Sequence, residues 1–127
     1  LVENYNQVFV WIQGDYDEQY IKSLNLDRKI VTVERGLEAL DNILEQDNLD
    51  YVGTRLHAGI RALSFGHRSI IISIDNRAES IAKDTGLPIV YREDVSSKLE
   101  KKIQSEFVTK ITLPVDSIER WKRQFEK

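Results

Sequence analysis

Five short apolar runs, each followed by apolar residues at helical spacing, constrain this chain more than any other feature. The runs occupy residues 7–12, 29–33, 49–52, 69–74 and 89–91. Nearly continuous apolarity marks a strand covered on both faces, as in parallel sheets. Tyr16, Tyr20, Ile21 and Leu24 form a helical stripe after the first run, and Leu37, Leu40, Ile43 and Leu44 after the second. Leu56, Ile60 and Leu63 follow the third, and Ile81 and Ala82 face inward after the fourth. This alternation predicts an α/β fold over residues 1–127: one domain with a three-layer, Rossmann-like parallel sheet, helices on both faces and right-handed crossovers.

Local chemistry punctuates the rhythm. Residues 1–6 read as a lead-in or the tail of a linker, and residues 25–28 as a loop. Asp15 with Glu18, and Asn76 with Glu79, are spaced as capping pairs, and Thr54 is a plausible N-cap. Gly86 and Pro88 stop the fourth helix. Val95, Leu99 and Ile103 predict a further helix, residues 107–113 suit a strand or a loop, and residues 114–127 predict a C-terminal helix with Ile118, Trp121 and Phe125 on its apolar face.

Composition removes several classes. The 18 basic and 21 acidic residues give a net charge of −3 with no basic block, which argues against a nucleic-acid surface. There is no cysteine, hence no disulfide framework and no thiolate zinc site, and this is compatible with the cytoplasm. No apolar run approaches the ~20 residues of a transmembrane helix, and no signal peptide is visible. Because the chain starts at Leu1 and contains no methionine, it is expected to be a piece of a longer protein or a processed product.

In an open parallel sheet, ligands bind beyond the carboxyl ends of the strands. This chain places Gln13, Gly14 and Asp15 there after the first strand, and Glu34, Arg35 and Gly36 after the second. Thr54, Arg55 and His57 follow the third, Asp75, Asn76 and Arg77 the fourth, and Arg92, Glu93 and Asp94 the fifth. Arginines in four of five loops suit a small dianion, because a guanidinium donates paired hydrogen bonds to carboxylate and phosphate oxygens. Arg55 and His57 also stand where a helix N-terminus offers free N–H groups. Each has a plainer reading: Arg55 as a solvated helix residue, His57 as a packed histidine, Asp75 and Asn76 as caps. His67 and Arg68, at the opposite edge of the sheet, read as solvent-facing.

The same loops exclude alternatives. A receiver-type signalling domain needs an acidic residue closing the third strand, and Gly53-Thr54 stands there. No Gly-x-Gly-x-x-Gly follows the first strand and no phosphate-binding Gly-Lys-Ser/Thr loop exists. His57 and His67 are ten residues apart with no carboxylate at ligand spacing, so no metal site is expected.

The stretch Gly53-Thr54-Arg55-Leu56-His57-Ala58-Gly59-Ile60-Arg61-Ala62-Leu63, followed by Gly66 and the apolar residues 70–74, resembles the polysaccharide pyruvyl transferase family. The resemblance covers residues 49–91, and the flanks match in pattern only. It departs from the family at His67-Arg68, where many members have a small residue and proline, and at Asn76-Arg77, where Tyr-Asp and a lysine are common. It implies the C-terminal lobe of a two-lobe, GT-B-like transferase, with the N-terminal lobe missing. Such an enzyme moves a pyruvyl group from phosphoenolpyruvate, its donor substrate and no resident cofactor, to a glycan or lipid-linked saccharide of a cell-surface or exopolysaccharide. The implied location is cytoplasmic, with a peripheral position at the inner membrane face as an option for the full-length enzyme.

On that resemblance, Arg55 holds the phosphate or carboxylate of the donor and His57 is a general acid. Thr54, Asn76, Arg77, Gln13 and Gly14 complete the substrate contacts. The alternative is a nucleotide-sugar lobe of a GT-B glycosyltransferase, with Arg55 on a diphosphate and Glu93 on a ribose. A third reading is a non-catalytic domain of the same fold.

Overall fold

The computed structural model describes residues 1–26 and 28–126. Asp27, in the expected loop at residues 25–28, and Lys127, at the end of the expected C-terminal helix, lie outside the described residues. Five strands alternate with helices in the predicted order: β1 (Val8–Trp11), α1 (Asp15–Ser23), β2 (Ile30–Val33), α2 (Leu37–Leu44), β3 (Asp50–Gly53), α3 (Leu56–Ser64), β4 (Arg68–Ser73), α4 (Asn76–Thr85) and β5 (Ile89–Tyr91). A 3-10 turn (Arg92–Asp94) and a π-helical turn (Val95–Leu99) lead into α5 (Glu100–Gln104), and α6 (Val115–Lys122) follows. Residues 107–113 join neither a helix nor a sheet.

Every strand pair is parallel, in a Rossmann-like layout flanked by helices. The sequence rhythm predicts one sheet; the strands form two. β1 pairs with β2, and β3-β4-β5 form a separate three-stranded sheet. Two unbroken runs of apolar residues do not decide whether their strands touch. That depends on how far the connection through α2 lets them approach, and no residue pattern encodes that distance.

The middle strand β4 explains most of the core. Ile70 and Ile71 are fully buried on opposite faces. Ile71 packs with Ala78 and Leu87 beneath α3 and α4, and Ile70 with Val90 and Ile103 beneath α5. A third cluster, Leu40, Leu44, Ala58 and Ala62, joins α2 to α3, with Trp11 and Tyr51 against it. Across that junction Arg61 pairs with Asp41 through two hydrogen bonds of 2.5 and 2.6 Å.

Several local expectations are corrected. The cap of α1 is Gly14, because the Asp17 carboxylate accepts the N–H groups of Gln13 and Gly14 at 3.1 and 3.0 Å. The cap of α4 is Asp75 rather than Asn76, its side chain accepting the Arg77 N–H. Arg55, not Thr54, is the N-cap of α3. Tyr16 and Tyr20 are exposed, since a two-stranded sheet is too narrow to cover their helix. Gly86 ends α4 in the left-handed conformation, as expected.

His67 and Arg68 do not face solvent. His67 Nε2 lies 2.6 Å from the Leu44 carbonyl. Arg68 grips the Asp50 carboxylate through two nitrogens and donates to the Ser105 and Ile103 carbonyls, both at 2.9 Å. The lead-in is fastened at the same place, the Tyr5 hydroxyl donating to Asp50 at 2.6 Å.

Candidate functional site

β1 lies in one sheet with β2, and β3 in another with β4 and β5. One cleft is lined along all of β1 and β3 but at β2 only by Val33, which puts β3 on the side of β1 away from β2. The winding of the chain therefore reverses between β1 and β3, the position at which α/β folds bind ligands. The cleft, of about 750 Å³, is lined along both strands from Val8 to Trp11 and from Asp50 to Gly53. Gln13, Thr54 and Arg55 line it at the carboxyl ends of those strands. The structure thus brings together three of the residues singled out in the sequence.

The others lie elsewhere. His57 is exposed in the first turn of α3, two residues beyond Arg55, and does not line the cleft. It is not a core histidine. Gly14 has its N–H committed to Asp17. Asn76 is exposed at the start of α4. Arg77 folds back on Asp75, Nη2 to carboxylate at 2.6 Å. That hydrogen bond holds the Asp75 carboxyl below the usual carboxylate range.

The arginines at this edge therefore differ in availability. Arg35 is paired with Asp15 and Arg77 with Asp75. Among the described residues the Arg55 and Arg92 side chains have no hydrogen bond or ion pair, and only Arg55 lines the cleft. The helix behind it is also uncapped: no side chain accepts from the first turn of α3, whereas the Asp75 side chain accepts from that of α4. A free guanidinium beside uncapped N–H groups can hold an oxyanion.

Tyr51 sets this turn, and no motif pointed to it. Its ring packs against the α2–α3 cluster and against the cluster around Ile71, and its hydroxyl donates to the Arg55 carbonyl at 3.0 Å. A hydroxyl four residues before the carbonyl it fixes is the signal that was available. Tyr51→Phe is expected to cost about 1 kcal/mol of stability, one hydrogen bond, as measured by urea unfolding.

Two phenols respond to alkali. Burial, then the hydrogen bond to Asp50, pushes Tyr5 up to about 12; burial pushes Tyr51 up to about 12. Each folded value lies above the ordinary 10.0, so the stabilisation is complete below pH 10 and lost as pH rises toward 12. Thermal unfolding across that window should show a falling midpoint, with the fall reduced in the Tyr5→Phe/Tyr51→Phe chain.

No protein-family model, curated protein or solved structure matches this chain. The likeness to pyruvyl transferases thus rests on the residues of the motif. Among the described residues no helix is long and apolar enough to cross a membrane.

Proposed function

We propose that this chain is the donor-binding lobe of a polysaccharide pyruvyl transferase-like enzyme, and that phosphoenolpyruvate binds at the rim of the β1–β3 cleft. One observation carries the reading: of the arginines at the strand ends, Arg55 alone combines a free guanidinium with a place in the cleft. Arg55 and the first-turn N–H groups of α3 hold the phosphate, with Thr54 and Gln13 on either side.

His57, exposed one half-turn further on, supplies the acid. Its proton goes to the methylene carbon of the donor, and the first acceptor hydroxyl oxygen adds to the adjacent carbon. The bond from that carbon to the phosphate oxygen then breaks as the second hydroxyl oxygen takes its place; one hydroxyl proton leaves with inorganic phosphate and the other returns to His57. The missing N-terminal lobe presents the saccharide.

Thermal shift separates this reading from its rival. Phosphoenolpyruvate should raise the melting temperature of the chain, and a UDP-sugar should not; the reverse outcome supports the nucleotide-sugar lobe. In the longer enzyme, His57→Ala should lower kcat at least tenfold, since general acid catalysis contributes ~10²–10⁴-fold. An unchanged kcat removes His57 from the chemistry.

A further inference from the structure

The facing edges of β1 and β3 carry backbone groups without sheet partners. Val8 and Ile12 give their N–H groups to the β2 side, so alternation turns those of Phe9 and Trp11 into the cleft. Ile71 gives its N–H to Pro88, on the β5 side, which leaves Ile70 directed at β3. Val52 is its register partner, so in a parallel ladder Val52 turns its own N–H and C=O away from β4 and into the cleft.

Side chains give the same register. Trp11 and Tyr51 both pack on the α2–α3 cluster. Val52 packs on the opposite face, where alternation also puts Val10. Setting Phe9 opposite Tyr51, Val10 opposite Val52 and Trp11 opposite Gly53 satisfies hydrogen-bond direction and face together, with the strand ends level. A one-residue slip breaks both. The indole N–H of Trp11 is buried without an acceptor, which marks this wall as incompletely satisfied.

We propose that the cleft is the open state of a hinged sheet. The β1–β2 unit closes onto β3 and gives one five-stranded parallel sheet in the order β2-β1-β3-β4-β5. The connection from α2 to β3 acts as the hinge, and within it Asn48 holds the left-handed conformation at φ 58°. Closure carries Gln13 toward Thr54 and Arg55, so an anion held at the rim favours the closed form. The pairing itself needs no ligand.

Because the chain has no cysteine, introduced pairs report closure cleanly. Val10→Cys/Val52→Cys should form an intramolecular disulfide under mild oxidation, since paired strands lie about 5 Å apart, within disulfide reach. Phe9→Cys/Val52→Cys, on opposite faces, should not. Bridging of neither pair, or of both alike, overturns the proposal. So does a disulfide between two chains, which marks the cleft as a slot for a foreign strand. Should a double variant fail to fold, hydrogen exchange on the unaltered chain decides. Paired edges make the Phe9, Trp11 and Val52 amides exchange more slowly than those of Asn6 and Thr54; equal rates overturn it.

Discussion

Arg68→Met is expected to lower folding stability by about 3 kcal/mol, the lower end of the range for losing one partner of a buried ion pair. Urea unfolding measures it. The guanidinium is tied to four parts of the chain at once. It meets Asp50 on β3, caps the carbonyls of Ile103 and Ser105 at the end of α5, and lies 4.8 Å over the Phe107 ring. Through Asp50 it also fastens Tyr5. Side chains of Arg68 and Asp50 are only 19% and 16% exposed, so water cannot replace what methionine removes. The carboxylate would be left with one phenol. Arg61→Met is the comparison: its pair with Asp41 is 39% and 27% exposed, and a pair that wet contributes about 0–1 kcal/mol. Equal losses in the two variants would contradict the assignment of Arg68 as the fastening point.

Gly59→Val is expected to destabilise by about 3 kcal/mol, at the upper end for forcing extra carbon into a packed core. A Cβ at this position would lie 2.1 Å from Ile71 Cδ1 and 3.1 Å from two atoms of the Tyr51 ring. Ile71 is fully buried, so its methyl has nowhere to move. Here two effects oppose each other. Replacing a helical glycine by alanine gains roughly 0.5–1 kcal/mol of helix propensity, which partly offsets the crowding. Gly59→Ala should therefore lose less than Gly59→Val, about 1–2 kcal/mol. Valine gains less helix propensity and brings two further methyl groups. Thermal unfolding of both variants orders them; stabilisation by alanine would show that α3 can lift off β4 without cost.

Much of this fold was legible in the residues. The apolar runs at 69–74 and 89–91 became β4 and β5 because branched aliphatic side chains suit a strand covered on both faces. Helix stripes were less reliable. Leu40 and Leu44 are buried as their spacing implies, but Tyr16 and Tyr20 are not, because periodicity gives a face and not the partner that covers it. The same gap explains His67 and Arg68. Polar residues before a strand usually face water, and nothing local announces that Asp50 and the end of α5 converge there.

The site divides likewise. Gln13, Thr54 and Arg55 were placed at one edge by the βα rhythm, and they share a cleft. Arg77 was equally prominent in the sequence, yet Asp75 two residues earlier takes its charge. Tyr51 was read only as part of a strand, since its hydrogen bond to Arg55 depends on the bend that follows.

Calorimetric titration of phosphoenolpyruvate into this chain and into Arg55→Ala tests the central claim most directly. A saturable heat that weakens at least tenfold in the variant is the expected result, about one charge-assisted hydrogen bond lost. Identical curves for the two chains, or no binding to either, would contradict it.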